Sequence, residues 1–577
     1  MKFKELSACF QKLENASKRL EMTDILAELF NKLNPEEKEK IDQIIYLTQG
    51  QLLPSFQNIE FGISEKLINR AIAQAAGRPA DDIETMFHEL GDYGLVVESV
   101  CSEHLQVLTI SQVYAYLEKL AEFSGDGSVA KKVEFLANLL KEASPIEAKY
   151  IIRIILGKLR LGVGDPTVLD SLSLAYNQDK LLRSDLERAY NLCSDLGLVA
   201  KILFTKGIAS IVNFQVMVGC PIRVALAARL SGPEEIIEKI GTCAVEEKYD
   251  GFRCQVHKSG NRVQIFSRNL ENTTHMFPEI VQGALEQIKE QNVIFEGEAL
   301  AYDPVTGQCL PFQVTVQRKR KHGIENMQKK FPLKVFVFDL LYAGRDLTQH
   351  PFSQRRQIMT ELIKKGKVLE VSPVEEVKTV ARLTEIFEDA IAQGREGIVA
   401  KRLDGEYKAG GRNFNWIKLK PSYSGNLSDT IDCVIIGYFF GKGLRAAFGI
   451  GSLLAAVYDP KTDQFKTIAK LGTGLSEDEL VRFKNNLDKI KTNKMPKDVD
   501  SLIQPDVWVD PLYVVEVQAD EITQSPVHTC GKNNNDDTGY ALRFPRTVGF
   551  IRTDKGAKDA TTVDEIKKMF NLQGRKQ

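Results

Sequence analysis

The chain has 577 residues, too many for one hydrophobic core, which predicts about three or four domains at roughly 100–200 residues each. Charged residues make up 27% of the chain and hydrophobic residues 43%, as in an ordinary soluble protein. The net charge of -1 excludes a globally basic nucleic-acid-binding protein. Any binding to nucleic acid must therefore come from local patches.

The nine cysteines never fall in a Cys-x-x-Cys spacing, which argues against a zinc ribbon. Their odd number, with no signal peptide before them, predicts reduced thiols in a cytoplasmic protein. Phe3, Leu6, Phe10, Leu13 and Leu20 recur at helical spacing, which predicts an amphipathic helix rather than an apolar signal core. We expect no membrane span, because no run of about 18 uncharged apolar residues occurs.

Residues 1 to about 215 are predicted to be mostly helical. Asn34 followed by Pro35 and two glutamates is typical of a helix start. Residues 146–157 carry an apolar helical face and end at a glycine. Residues 162–166 predict a turn before another helix over about 167–176. We therefore predict an all-α domain over residues 1–215.

After about residue 219, short β-prone runs alternate with helices, which predicts an α/β (α+β) domain over residues 216–424. The polar segment 421–428 predicts a hinge or linker. After this linker, short predicted strands with one helix between them suit a small β-barrel domain over residues 425–577. The predicted strands are 263–266, 293–295, 333–338, 397–400, 431–437, 453–458 and 513–517, and the predicted helices are 384–393 and 476–493.

Residues 246–253, EEKYDGFR, place one lysine between a β-prone run and an Asp-Gly turn. A free lysine has a pKa of about 10.4 and is a poor nucleophile while protonated. An active site must hold Lys248 near positive charge or partly desolvate it. Arg253 and Arg268 could supply that charge and also grip phosphate and ribose. Taken alone, this motif is more often an edge-strand lysine before a turn.

Several later motifs suit nucleotide chemistry when they occur together. Glu298 and Glu396 lie at predicted strand or turn ends, where two carboxylates could hold Mg²⁺ against phosphate oxygens. Phe338 could stack on a base, although core packing is its more common role. Lys418 and Lys420 alternate with apolar residues and point to one side of a strand, which suits a polyanion or an ordinary exposed face.

Together these motifs resemble those of the ATP-dependent DNA ligases. KYDGFR, FSRN, FEGEALAYD, KVFVFDLLY, EGIVAKR and WIKLKP occur in the family's order. GYALRFPR, followed by Arg552, Asp554 and Lys555, resembles its last motif. Residues 159–176 resemble the helical DNA-binding domain of such ligases, and residues 432–454 their OB-fold. One departure is Val224-Ala225, where the family often has Pro-Met.

The resemblance implies ATP and Mg²⁺ (or Mn²⁺) as cofactors, and a mechanism through AMP on Lys248. It implies a DNA ligase that acts on nicked double-stranded DNA in replication, recombination and repair, as a monomer in the prokaryotic cytoplasm. A sliding clamp stays an open partner. The nucleotide pocket would be lined by Glu246, Arg253, Arg268, Glu298, Phe338, Arg412 and Lys418, the metal held by Glu298 and Glu396, pyrophosphate oriented by Arg543, Arg546 and Lys555, and adenylyl transfer aided by Lys420.

Two rival functions stay open at this point. One is another lysyl-nucleotidyl transferase, such as an RNA ligase or a GTP-using capping enzyme, which usually lacks a helical domain like residues 1–215. The other is a non-catalytic DNA-binding protein of ligase shape, against which the intact lysine and carboxylates argue. The basic run 317–322, QRKRKH, is predicted to face the DNA backbone in a ligase, or to be a solvated loop otherwise.

Overall fold

The structure is a computed structural model that forms two compact units, Met1–Leu419 and Lys420–Gln577. No helix among its described residues is long and apolar enough to cross a bilayer. The predicted linker 421–428 lies outside these residues. The described residues are 1–57, 59–102, 107–125, 127–230, 232–310, 312–319, 323–392, 395–420, 430–441, 449–472, 475–519, 521–532, 537–543 and 545–573.

The first part of unit one is helical, as predicted. Its helices are α1 Phe3–Asn15, α2 Arg19–Asn31, α3 Pro35–Lys38, α4 Ile41–Thr48, α5 Glu65–Ala76, α6 Ala80–Leu90, α7 Tyr93–Val100, α8 Ile110–Glu122, α9 Ser128–Glu142, α10 Pro145–Ile155, α11 Asp165–Asn177, α12 Arg183–Cys193, α13 Leu196–Lys206 and α14 Ile208–Val212.

The N-terminal prediction needs a correction. The apolar residues from Phe3 to Leu20 do not form one helix, because α1 ends at Asn15 and Ala16 is extended. Leu20 belongs to α2 and is 66% exposed, so it does not continue the buried face of α1. The predicted start at Asn34 is confirmed, since its side chain accepts from Glu37 N–H at 2.9 Å.

Two five-stranded sheets follow in the same unit. The first has the order β1-β10-β9-β2-β8 and the second β4-β3-β5-β6-β7. The strands are β1 Leu226–Arg229, β2 Cys243–Glu247, β3 Phe252–Ser259, β4 Arg262–Ser267, β5 Asn292–Ala301, β6 Leu333–Ala343, β7 Leu369–Val371, β8 Glu375–Val377, β9 Ile398–Arg402 and β10 Arg412–Leu419; the helices are α15 Pro233–Ile240, α16 Pro278–Gln287, α17 Phe312–Thr315, α18 Ile324–Lys330, α19 Phe352–Leu362 and α20 Val380–Ala392.

One face of β3 holds the segment that joins the helices to the sheets. Gly219 N–H donates to His257 Nδ1 at 2.9 Å. Gln255 exchanges two hydrogen bonds with the backbone of Ile222, at 2.7 and 2.9 Å. Arg253 Nη1 donates to Ala225 O at 2.9 Å. Since side chains two apart point to the same face of a strand, three consecutive positions of that face grip residues 219–225.

The second unit is built mainly of strands. Its principal sheet has the order β14-β16-β11-β12-β13-β15, with β17 paired to β11 and β20, while β18 and β19 pair separately. These pairings of the described residues do not form a closed barrel. The elements are β11 Ile431–Phe439, β12 Ser452–Asp459, β13 Gln464–Leu471, α21 Glu477–Leu487, β14 Lys491–Thr492, β15 Val499–Asp500, β16 Val507–Val509, β17 Val514–Gln518, β18 Glu521–Ser525, β19 Gly539–Arg543, β20 Arg546–Thr547 and α22 Val563–Gln573.

Candidate active site

Lys248 lies where the chain crosses between the two sheets of the first unit. It directly follows β2, and β3 begins at Phe252. The backbone N–H of Lys248 donates to Gly397 O at 2.9 Å, and Glu396 N–H donates to Lys248 O at 3.3 Å. These two bonds fix the lysine backbone against the segment that leads into β9.

The amine of Lys248 contacts a carboxylate. Its Nζ donates a hydrogen bond to Glu396 Oε2, and the two side chains are 25% and 28% exposed. This partial exposure leaves the amine accessible to a substrate. Glu396 also provides an acceptor for the ammonium proton, which must leave before nitrogen can attack.

Glu298 belongs to the same charged cluster. Its cross-strand partner is Arg253 on β3, and such partners project from the same face of a sheet. Burial raises the pKa of Glu298 to about 7, although the positive charges of Lys248, Arg253 and Arg268 oppose the rise. A carboxyl group with this pKa is only partly ionised at neutral pH, so a bound cation would shift it toward the carboxylate.

Arg268 follows β4 and is half-buried. Its Nε is buried and has no hydrogen-bond acceptor among the residues that the structure describes. A guanidinium is always charged and presents donors in a planar fork, which suits phosphate and ribose oxygens. The position of Arg268 near Glu298 therefore fits the predicted role in nucleotide binding.

Glu246 is buried, at 4% exposed, on the strand that precedes Lys248. Its Oε1 accepts a hydrogen bond from Lys401 Nζ at 2.9 Å. Lys401 also donates to Phe338 O at 2.7 Å and lies over the rings of Phe338 and Trp416. The carboxylate of Glu246 and the ring of Phe338 are thus oriented by one buried lysine.

Strand β10 carries two of the predicted cations. Arg412 at its start is exposed, while Lys418 near its end is half-buried. Lys418 is in register with Arg229 of β1. Burial lowers the pKa of Arg229 to about 10. Arg229 is thus a second cation beside Lys418, whereas Lys420 follows β10 as the first residue of the second unit.

The predicted pyrophosphate residues all lie in the second unit. Lys555 Nζ donates to Asp432 at the beginning of β11. Arg543 ends β19 and Arg546 begins β20, and both side chains are exposed. All three cations therefore belong to the second unit, where Lys555 is paired to a carboxylate and Arg543 and Arg546 lie on different strand pairs.

The basic run 317–322 was predicted to face the DNA backbone or solvent, but its first arginine, Arg318, points inward. The side chain of Arg318 is 1% exposed and forms an ion pair with Glu279. Lys319 lies over the ring of Phe252, with Nζ 5.8 Å from its centroid. A long side chain can be buried when its charge is paired, and a charge run does not reveal this. Residues 320–322 lie outside the described part of the chain.

Four residues of the site were not singled out by the sequence. Glu296 precedes Glu298 by two positions, so the period of a strand could have placed it on the same face. Lys401 and Arg229 end short apolar runs, which is a weak signal. Tyr407 lies outside the strands, between β9 and β10, and no pattern marks it.

Three family profiles match the chain. "DNA ligase N terminus" matches residues 2–173, "ATP dependent DNA ligase domain" residues 224–420, and "ATP dependent DNA ligase C terminal region" residues 446–555. The middle profile contains Lys248 and the charged cluster around it.

Similar proteins cover nearly the whole chain. "Probable DNA ligase" of Dictyoglomus turgidum is 53% identical over 574 residues, 99% of this chain and 98% of its own. "DNA ligase 2" of Thermofilum pendens is 42% identical over 587 residues, 98% and 97% of the two chains. The solved structure "mycobacterial DNA ligase D complexed with ATP and MES" is 24% identical and covers 59% of this chain and 97% of its own, with a TM-score of 0.33. From the profiles and the full-length relatives, the chain belongs to the ATP-dependent DNA ligase family.

Proposed function

We propose that this protein seals nicks in duplex DNA with ATP, through AMP attached to Lys248. The observation that carries the proposal is one lysine amine held on Glu396, with Glu298, Arg253 and Arg268 in the same charged cluster. Membership of the ATP-dependent DNA ligase family supports the same reaction.

The first step transfers AMP from ATP to the protein. Neutral Lys248 Nζ attacks the α-phosphorus, the bond from that phosphorus to the bridging oxygen breaks, and pyrophosphate leaves with the electron pair. Glu396 accepts the ammonium proton, because its Oε2 already contacts Nζ. Arg253 and Arg268 neutralise charge on the nucleotide, and Arg543, Arg546 and Lys555 orient the leaving pyrophosphate.

Two further steps complete the sealing. An oxygen of the 5′-phosphate at the nick attacks the phosphorus of the bound AMP, the bond from that phosphorus to Lys248 Nζ breaks, and Nζ leaves with the electron pair and takes back a proton from Glu396. The 3′-hydroxyl oxygen then attacks the 5′-phosphorus and loses its proton to solvent, the bond from that phosphorus to the oxygen that bridges to AMP breaks, and AMP leaves with the electron pair as the phosphodiester forms. The protein contributes in-line positioning and neutralisation of charge on the phosphate oxygens, aided by Lys420.

We propose Glu298 and Glu396 as the side chains that hold Mg²⁺ or Mn²⁺. Both offer the hard oxygen donors that these ions prefer, and both adjoin the nucleophile. When bound, the ion would withdraw charge from phosphate oxygens. Lys418, Arg412, Phe338 and Glu246 would complete the nucleotide pocket.

The finer architecture is part of the same proposal. Residues 1–215 would be an all-α domain that binds the duplex, residues 216–424 the adenylation domain, and residues 425–577 an OB-fold. We propose a monomer in the prokaryotic cytoplasm that acts in replication, recombination and repair. The helical composition of the first part and the strands of the second unit support this division.

The test is covalent labelling with ATP that carries a radioactive α-phosphate, in the presence of Mg²⁺ and followed by denaturing electrophoresis. Lys248→Ala should abolish the label while the protein stays folded. Lys248→Arg should also abolish it, because a guanidinium stays protonated and cannot attack. Addition of a nicked duplex to the labelled wild type should release the label and join the strands.

Lys378→Ala is the matched control, since Lys378 is 71% exposed and pairs only loosely with Glu376, at 3.6 Å. It should label like the wild type. Label retained on Lys248→Ala would place the nucleophile elsewhere. A wild type that takes label from GTP, and not from ATP, would favour a capping-type transferase.

A further inference from the structure

Four residues beside the nucleophile form a closed circuit of hydrogen bonds, here called the Arg253 ring. Arg253 Nη2 donates to Glu296 Oε2 at 2.7 Å, and Arg253 Nη1 donates to Ala225 O at 2.9 Å. Tyr407 closes the circuit: its hydroxyl donates to the same Glu296 Oε2 at 2.8 Å and accepts from Ala225 N–H at 2.9 Å. Each member therefore restrains both of its neighbours.

Three members of the ring are buried and the side chain of Arg253 is 17% exposed, so most of its bonds are protected from competition with water. Glu296 is 0% exposed and Tyr407 is 4% exposed. The Arg253 guanidinium lies 5.2 and 5.4 Å from the ring centroids of Phe338 and Trp416. Charge-assisted hydrogen bonds and contacts between a cation and an aromatic ring are stronger in a region of low dielectric constant than at a surface.

Two of the five N–H donors of Arg253, one on each terminal nitrogen, bind members of this ring. Its Nε is buried and has no acceptor among the residues that the structure describes. Glu298, the carboxylate of the nucleophile's cluster, is its cross-strand partner. The ring therefore decides how the guanidinium is turned toward the nucleotide pocket.

The circuit needs a hydroxyl group at the position of Tyr407. A phenol donates one hydrogen bond while accepting another, which the circuit requires between a carboxylate and an N–H group. Burial and the neighbouring Glu296 raise the pKa of Tyr407, so the phenol keeps the proton that it donates. Tyr407 is not part of the charged cluster around Lys248, but its hydroxyl binds Glu296 and Ala225, the two residues to which Arg253 donates.

We propose that Tyr407 is a positioning residue, which fixes the orientation of Arg253 and thereby the affinity of the adenylation site for ATP. The proposal rests on the proposed function, in which Arg253 contacts the nucleotide. Without the hydroxyl, Ala225 N–H loses its acceptor and Glu296 Oε2 loses one donor. A buried polar group left without a partner is costly, so the ring rearranges and Arg253 turns with it.

The test is Tyr407→Phe in the full-length protein, with the initial rate of labelling measured over a range of ATP concentrations. We expect KM for ATP to rise about tenfold, with a smaller change in kcat, as for the loss of one hydrogen bond to a charged group. Tyr46→Phe is the matched control, because Tyr46 is also buried and donates to a carboxylate, Asp195 Oδ1, at 2.8 Å in the helical part. It should leave KM unchanged.

A double-mutant cycle separates positioning from general loss of structure. On an Arg253→Lys background, which lacks the planar fork, Tyr407→Phe should add almost nothing to KM. Additive effects would overturn the proposal, as would an unchanged KM in a Tyr407→Phe protein that labels. Glu296→Gln, which keeps the shape of the side chain, provides a second variant and should raise KM in the same way. A wild type that never labels would overturn the proposed function instead.

Discussion

At the scale of single residues, the site contains two ion pairs that differ in how deeply they are buried. Arg253 is committed to a fully buried carboxylate, whereas Lys248 is paired with a partly exposed one. An exposed pair is weak and can be broken by a substrate, while breaking a buried pair leaves an uncompensated charge. We infer that the side chain of Lys248 is held loosely and that of Arg253 firmly.

Glu298 is one residue that we expect to make the stability of the folded protein depend on pH near neutrality. Its pKa is about 7 in the folded protein, above the ordinary value of 4.5, mainly because of burial. The folded state therefore binds more protons than the unfolded state between these values, and this group lowers stability as pH rises through that window. Glu298→Gln cannot ionise, so the variant should gain in Tm over the wild type, by about 2 °C or more, at pH 8.

The same comparison at pH 4.5 serves as the control, because Glu298 is then protonated in the folded state and only half ionised in the unfolded state, so most of the stability difference is lost. A Tm difference that is equal at the two pH values would contradict the raised pKa. Thermal unfolding followed by circular dichroism at both pH values is sufficient for the measurement.

The sequence singled out Lys248, the proposed nucleophile, but not the residues that support the site, for a physical reason. Lys248 belongs to a compact motif whose chemistry depends on neighbouring residues in the chain. The Arg253 ring joins positions that are up to 182 residues apart, from Ala225 to Tyr407, and only folding brings them together. The roles of Arg412, Lys418 and Lys420 in binding the nucleotide and in adenylyl transfer stay predictions for mutagenesis to test.

At the scale of elements, the turn that follows Lys248 requires a glycine at position 251, because there is no room for a side chain there. A Cβ on Gly251 would lie 2.4 Å from the backbone oxygen of Ala299 on β5. The φ angle of Gly251 is not in the left-handed region, so the glycine is required for close approach and not for its conformational freedom.

Gly251→Ala should push the beginning of β3 away from β5 and move Lys248 and Arg253 apart from the cluster. We expect a loss of stability of about 1–3 kcal/mol, as for an overpacked core position, together with a marked fall in the rate of labelling. Gly472→Ala is the control, since its nearest neighbour would be Ser452 Cβ at an ordinary 3.8 Å. An unchanged Tm for Gly251→Ala would show that the turn can relax.

Six of the seven predicted strands lie in the right places but are shorter than the observed strands, and the seventh, 513–517, is shifted by one residue. The predicted strand 293–295 extends to Ala301 and the predicted strand 333–338 extends to Ala343. Each prediction stopped where a charged residue interrupts an apolar run. The structure buries these charges with partners, as where Arg355 binds Asp339 with both side chains 0% exposed. Such pairs are invisible to a pattern that treats charge as exposure.

At the scale of the whole molecule, the helical and sheet regions of the first unit are connected by Arg223. Its Nη2 lies 2.8 Å from Asp165 Oδ2, and its guanidinium lies 4.1 Å from the ring centroid of Tyr190. Its backbone N–H donates to Asn191 O at 2.8 Å. One residue of the connecting segment therefore contacts both α11 and α12.

Arg223→Ala should weaken this connection without reaching the nucleophile. We expect labelling of Lys248 to stay within about twofold of the wild type. Nick sealing should fall by about tenfold, because the proposed DNA-binding helices would no longer be fixed relative to the adenylation site. Arg19→Ala is the control, since its 3.0 Å pair with Asp170 lies within the helical part. Equal losses of labelling and sealing would contradict this division.

The grip of β3 on residues 219–225 has a consequence for how such a protein can be divided or recombined. The family profile for the middle domain begins at residue 224, but Gly219 and Ile222 are bound to the same strand face that carries Arg253. A gene fusion or a domain exchange joined at residue 224 would replace the residues that make three of these four hydrogen bonds and leave Gln255 and His257 with buried polar atoms to satisfy. A joint made before Gly219 would keep all of these hydrogen bonds within one parent sequence. We therefore expect folded chimaeras, natural or engineered, to have their junction before Gly219.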